Sequence, residues 1–207
     1  MTIAIIAILM ALILPALHKA KAKGANVVCL NNLKQWSLGM QLYAAENDDF
    51  LPPEGTGTSL NRQTGWYVAL PKQLGLGNYF HQPWHTNPAA PIGLSIWICP
   101  SNKRRSNGNN LFHYCMNQNI DQTGEEDRPV RLSSVPYPSR VVYLFDNGKL
   151  AARAQENNVH TNLHSGGANF NFLDGHTQHF HSRQYWDFRN RKGRTNNPAL
   201  LWRPWAE

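Results

Sequence analysis

From Ile3 to Leu17 every residue except Pro15 is aliphatic, alanine or methionine, and no ionisable group appears before His18 and Lys19. Beyond Lys19, Lys21 and Lys23 the pattern changes without breaking. Cys29, Leu33, Trp36, Met40 and Tyr43 recur at spacings of four, three, four and three, with Asn31, Asn32, Lys34, Gln35 and Gln41 between them. The two stretches read as one helix, apolar all round in its upper half and amphipathic in its lower half, ending near Asp48. At 1.5 Å per residue, Ile3 to Glu46 would extend about 65 Å, too long for a small globule to enclose. Half of it is therefore expected to project into lipid or into a neighbouring subunit. Pro15 removes one backbone hydrogen bond and predicts a bend.

The environment of the apolar run follows from its length and flanks. A bilayer core of about 30 Å asks for roughly 20 helical residues, while roughly 10 to 14 suit a core helix, so the run lies between the two. A secretory signal would carry its basic flank before the run, whereas here the lysines follow it. A helix apolar on every side points to a membrane or a very large core. The expectation is membrane insertion of residues 2–17.

The chain has 207 residues, room for a stalk over 1–48 and one body over 49–207. Residues 52 to 110 are rich in Pro, Gly and Asn and read as long loops. Short strands are predicted at Ser95–Cys99, Leu111–Met116, Arg140–Phe145, Ala168–Leu173 and Thr177–Phe180, each with β-branched or aromatic content and turn residues at its ends. Asp174-Gly175 predicts a two-residue hairpin turn, because Gly accepts positive φ without steric cost. Phe170 and Phe172 would share one strand face and pack on the helix, with Asn169 and Asn171 on the other face. The expected fold class is α+β: a long N-terminal helix packed on a small antiparallel sheet with long loops.

The string IAIIAILMALILPALHKAKAKGANVVCLNNLKQWSLGMQLYAAENDDFLPP resembles the N-terminal helix of type IV prepilin-like proteins, the pseudopilins of type II secretion included. The chain is similar, more narrowly, to bacterial prepilin-like proteins with a C-terminal His-x9-Asp-Gly signature, matched here by His164, Asp174 and Gly175 over residues 164–175. Cys99-Pro100-Ser101, Tyr114 to Asn117 and the segment from Pro138 to Asp146 also fit that group. The resemblance implies a pilin-like fold. It implies an assembly helix carrying Ile3, Ile5, Ile6, Leu9, Leu12, Pro15 and Leu17, with other pilin-like subunits as partners. It also implies a single-pass bacterial inner-membrane location with the body on the periplasmic, extracytoplasmic side, although the lysines behind the run would by themselves hold the body in the cytoplasm. Family members start with a basic leader and a Phe-Thr-Leu-Ile-Glu type string; here Met1 falls inside the apolar segment, which reads as a start set too far downstream. Prepilin peptidase would be a partner only if an upstream leader exists.

Turn and edge requirements explain Gly166, Gly167, Asp174 and Gly175 without catalysis. His164 is not placed to touch Asp174 unless the chain bends, while Asp146, at a strand end, lies near it or simply starts a turn. His164, His176 and His179 are weak metal candidates, since no HExxH or paired CxxC spacing accompanies them. Calcium is a low-ranked cofactor, from the oxygen donors of Asn117 to Arg128 and from related pseudopilins that hold one. Three cysteines allow one disulfide: Cys29–Cys99 is preferred because Cys29 lies on the buried stripe, Cys99–Cys115 is the alternative, and a cytosolic body would keep three thiols.

The net charge of +7 draws on Lys19 to Lys23, Lys103 to Arg105 and a C-terminal set from Arg183 to Arg203, interleaved with Tyr185, Trp186, Phe188, Trp202 and Trp205. That mixture suits single-stranded nucleic acid or a tail folded on its own domain; with no recognised motif, nucleic-acid binding is disfavoured. No nucleophile with a base, carboxylate pair or open metal site stands out, so the chain reads as a non-enzyme. The expected function is a pseudopilin-like structural subunit of a type II secretion or type IV pilus-like assembly. The rival is a tethered binding domain, for metal or envelope polymer, that uses the helix only as an anchor.

Overall fold

A computed structural model of the chain describes residues 2–56, 59–120 and 130–205. Helix α1 (Thr2–Glu46) runs through Pro15 and the lysines as one element. Its end is set two residues later, where Asp48 and Asp49 take φ of 52° and 68° and the Asp49 N–H donates to Ala44 O at 2.9 Å. A left-handed residue just past a helix satisfies one of its last carbonyls in this way.

The lower half of α1 enters the body. Cys29, Leu33, Trp36 and Met40 are fully buried, and two short helices follow, α2 (Ser59–Thr64) and α3 (Trp66–Gln73). Trp36 meets Trp66 and Trp97 edge-on, and α3 comes so near α1 that a Cβ on Gly39 would sit 3.0 Å from Leu70 O. The upper half is bare: Ile6, Leu9, Met10, Leu14, Ile13 and Leu17 are exposed, the last two by 56% and 60%. The side chains of Ile3, Ile5 and Leu12 lie outside the described residues, as do residues 121–129 of the calcium candidate.

The single-pass inner-membrane placement is corrected by the helix itself. Among the described residues no helix is long and apolar enough to cross a membrane. The sixteen residues from Thr2 to Leu17 rise about 24 Å, short of the roughly 30 Å of a hydrocarbon core, and three lysines stand within the next six positions.

The body is α+β. Strands β1 (Tyr114–Asn117), β2 (Val142–Asp146), β3 (Arg153–Ala154), β4 (Gly167–Phe172) and β5 (Thr177–His181) form one sheet in the order β3-β1-β2-β4-β5. β3 runs parallel to β1 and the remaining pairs are antiparallel, so the sheet is mixed, not wholly antiparallel. After β5 come a helical turn, α4 (Ser182–Tyr185), and a two-stranded ribbon of β6 (Trp186–Asp187) and β7 (Lys192–Gly193).

Both faces of the sheet are covered. On one, Tyr114, Met116, Tyr143 and Leu144 join the core around α1; on the other, Cys115, Val142, Phe145, Phe170, Phe172 and Phe180 pack with Tyr185, Leu200 and Trp202 of the C-terminal segment. A bulge between Val142 and Leu144 lets Tyr143 and Leu144 serve the same face. Phe170 and Phe172 therefore point away from α1, against expectation, because the aromatic tail returns to cover them. Asn169 faces the helix instead, its Nδ2 donating to Asn26 Oδ1 at 2.8 Å.

Two local expectations also change. Ser95–Cys99 is not a strand, since its carbonyls are taken by the helix: Asn32 Nδ2 donates to Ser95 O at 3.0 Å and Ile98 O at 2.9 Å, and Trp36 Nε1 donates to Ile96 O at 3.0 Å. The β4–β5 turn has three loop residues, Leu173, Asp174 and Gly175, not two. Gly175 N–H donates to Phe172 O at 2.9 Å with φ of +93°, the geometry of a type I turn closed by a glycine bulge.

Candidate functional site

Four segments converge beneath α1. Cys29 comes from the helix, Cys99 from the loop that Asn32 and Trp36 hold, Asp146 from the end of β2, and His164 from the turn before β4. That turn is tight: Ser165 and Gly166 take φ of 52° and 86°, and the N–H groups of Leu163 and His164 both donate to Gly167 O. His179 Nε2 bonds the His164 carbonyl at 2.7 Å, which fixes the turn to β5.

Cys29 and Cys99 form a disulfide with their Cα atoms 5.0 Å apart, and Cys115 is a buried free thiol. His164 Nε2 lies 3.5 Å from Cys99 Sγ and 3.1 Å from Asp146 Oδ2, which also accepts the Asn169 N–H at 2.7 Å. His164 is 2% exposed and Asp146 is fully buried. The second ring nitrogen, Nδ1, and the second carboxylate oxygen, Oδ1, have no hydrogen-bond partner among the described residues. An unpaired buried polar atom costs about 1–3 kcal/mol, which the bonds made by the other two atoms of the pair must offset.

No protein-family model, curated protein or solved structure matches the chain.

A second buried imidazole stands beside the first. His113 Nδ1 accepts the Cys99 N–H at 3.1 Å, and its Nε2 bonds Arg104 O at the same distance. Burial drives its pKa down from 6.5 to about 4. The unfolded chain therefore binds more protons than the folded one across that window. Stability is complete above pH 6.5, falls as pH drops, and has lost about 3 kcal/mol from this group once pH passes below 4. Urea unfolding at pH 7 and pH 4 checks this: His113→Gln should flatten the dependence. The smaller share from His85, His160 and His179, each also lowered by burial, should remain.

The signature residues are separated in space but share one mechanical role. His164 pairs with Asp146, while Asp174 Oδ1 bonds the ring Nδ1 of His176 at 2.6 Å. The Asp174-Gly175 turn sits on α1: Lys34 Nζ donates to Gly175 O at 2.7 Å and Gln41 Nε2 to Asp174 O at 3.4 Å. A Cβ on Gly175 would meet Gln41 Nε2 at 2.7 Å and Ser37 Oγ at 3.1 Å, so both the backbone angle and the close approach demand glycine. The eleven helical steps from Asn26 to Ser37 rise about 16 Å; the six steps from Asn169 to Gly175 reach at most about 20 Å, so strand and helix lie side by side in step. The hairpin is thus fastened to α1 near both its ends.

The metal candidates His164, His176 and His179 are not brought together. The group of three potential ligands among the described residues is Cys29, Cys99 and His164. His179 and His181 do share a face, their rings 5.2 Å apart. Of the C-terminal basic and aromatic set, Tyr185 and Trp202 are buried in the second core and Trp205 Nε1 donates to Ile120 O. Asn32 and His113 escaped sequence reasoning, although Asn32, a polar residue three positions beyond Cys29 on the buried stripe, was a readable signal. Nothing in the local pattern around His113 marked it.

Proposed function

We propose that the chain is a pilin-like structural subunit that assembles with further copies, or with related chains, by packing the upper halves of their α1 helices around a common axis. The exposed apolar upper half of α1 carries this reading. Ile6, Leu9, Met10, Ile13, Leu14 and Leu17 point into solvent on a helix whose lower half is held in the body by a disulfide and side-chain hydrogen bonds. Contiguous exposed apolar surface of this kind marks an interaction site. The resemblance to prepilin-like helices supports the reading, as does the hairpin that fastens the His-x9-Asp-Gly segment to the stalk, since a subunit that packs by its helix needs that helix rigidly joined to its body.

Leu9→Glu with Ile13→Glu tests it. Each buried aliphatic side chain contributes about 1.5–3 kcal/mol, so the pair should weaken self-association by about 100-fold or more. In sedimentation velocity the unaltered chain should run as assemblies and the double variant as a 23.5 kDa species with unchanged circular dichroism. A monomeric unaltered chain, or assembly that ignores the two glutamates, overturns the proposal.

A further inference from the structure

A disulfide needs no imidazole beside it, yet the Cys29–Cys99 bond has His164 against Cys99 Sγ, itself paired with the buried Asp146, and one polar atom of each of the two is unpartnered among the described residues. One ligand atom from each of Cys29, Cys99 and His164 falls within 4.8 Å of the others, and all three residues are buried. A tetrahedral zinc-class ion holds sulfur at about 2.3 Å and nitrogen at about 2.0–2.1 Å, which sets sulfur and nitrogen ligands about 3.5 Å apart. The observed separation from Cys99 Sγ to His164 Nε2 is 3.5 Å. The two sulfurs are closer than in that geometry because they are bonded to each other, and Asp146 stands outside the group of three, bearing on the ring at 3.1 Å.

We infer that this cluster is a cross-link with two states: a Cys29–Cys99 disulfide when oxidised, and a zinc-class divalent site once that bond is reduced, with Cys29 Sγ, Cys99 Sγ and His164 Nε2 as the protein ligands. A dithiol supplies the two electrons and two protons; the sulfur–sulfur bond breaks, two thiols form, and the dithiol leaves as its own disulfide. The ion then displaces both thiol protons. The neutral ring binds through Nε2 and carries its proton on Nδ1. Two thiolates and an imidazole select zinc over calcium or magnesium, which prefer all-oxygen shells. Three protein ligands leave the fourth tetrahedral position to a water or another small ligand.

Either state closes the same junction, because Cys29 belongs to α1 and the other two ligands, Cys99 and His164, to the body. The chain thereby keeps its helix fastened in reducing as well as oxidising surroundings. Metal uptake of this kind is coupled to folding, which lets a buried site load as the reduced chain folds. The inference stands whether or not the chain assembles through α1.

The test uses the full chain carrying Cys115→Ala, so that Cys29 and Cys99 supply the only thiols. It is reduced with a phosphine, which becomes its oxide while water furnishes the oxygen and protons; the phosphine is removed under argon and cobalt(II) is added. One equivalent should produce thiolate-to-cobalt charge-transfer absorption and the strong visible bands of a tetrahedral site, and one equivalent of zinc should abolish both. The oxidised chain should show neither. Loss of an outer-shell partner already weakens a metal site roughly 10- to 100-fold, so His164→Ala should weaken cobalt binding by at least about 100-fold. Should reduction unfold the chain, zinc must restore the native circular dichroism. Absence of thiolate bands with no refolding by zinc overturns the inference, as does binding that His164→Ala leaves unchanged.

Discussion

Replacing Cys99 with serine is expected to lower the unfolding free energy by about 4 to 5 kcal/mol under oxidising, metal-free conditions. The cysteines are 70 residues apart, and closing a loop of that length removes about that much chain entropy from the unfolded ensemble. Domains of this size have only about 5–15 kcal/mol to lose, so the variant should lie near the edge of folding at 37 °C. The effect should also be local. Without the bond, this end of α1 is held to the 95–99 loop by Asn32 and Trp36 alone, so amides from Val28 to Trp36 should exchange faster than those of β2 and β4. Cys115→Ala is the control: it deletes one buried sulfur and should cost no more than about 1–2 kcal/mol. Guanidinium unfolding without reductant decides the matter. Equal midpoints for Cys99→Ser and Cys115→Ala would mean that the bridge restrains nothing that packing does not already restrain.

What could be read from the residues and what could not divide along a physical line. The helix and its buried stripe follow from local periodicity, and Cys29, Leu33, Trp36 and Met40 face the core because 3.6 residues make a turn. Strands with alternating or continuous apolar content lie close to their expected positions, within a residue or three at each end. Ser95–Cys99 looked identical in composition, but its backbone is satisfied by Asn32 and Trp36 side chains arriving from 63 and 60 residues away, and no local pattern encodes that. The face of β4 was misassigned for a related reason. Period-two alternation separates Phe170 and Phe172 from Asn169 and Asn171 but does not say which side meets the helix. The aromatic tail, with Tyr185 and Trp202, claims the phenylalanines, and both asparagines are buried with their NH2 groups bonded, Asn169 to Asn26 of α1 and Asn171 to His176 O. The apolar run was legible as something that projects, while the medium around it was not: among the described residues no helix is long and apolar enough to cross a membrane, and only exposure in the fold shows how much surface is left to cover. The site shows the same limit. His164, Asp146 and Cys99 meet across separations of 18 and 65 residues, where spacing carries no information.

Asp146→Ala should destabilise the body by about 3–5 kcal/mol, which is the cost of removing one member of a buried, hydrogen-bonded pair. The carboxylate is fully buried and its Oδ2 serves two donors at once, His164 Nε2 at 3.1 Å and the Asn169 N–H at 2.7 Å. Alanine leaves both without an acceptor. Asp146→Asn makes a more searching comparison. Its amide oxygen can take the place of Oδ2 and accept both bonds, while its NH2 group takes the place of Oδ1, which already lacks a partner, so one orphaned atom is exchanged for another. Only the charge is lost, and the cost should fall to about 1–2 kcal/mol. His164→Ala completes a double-mutant cycle with Asp146→Ala. Residues in direct contact within one network couple by about 0.5–3 kcal/mol, so the combined variant should be less damaged than the sum of the two. Strict additivity would show that His164 and Asp146 act separately, the imidazole as packing against the sulfur and the carboxylate as an acceptor for β4. Coupling would instead make the pair one device: an acid at the end of β2 that positions the ring beside the cross-link, and through it the junction between stalk and body.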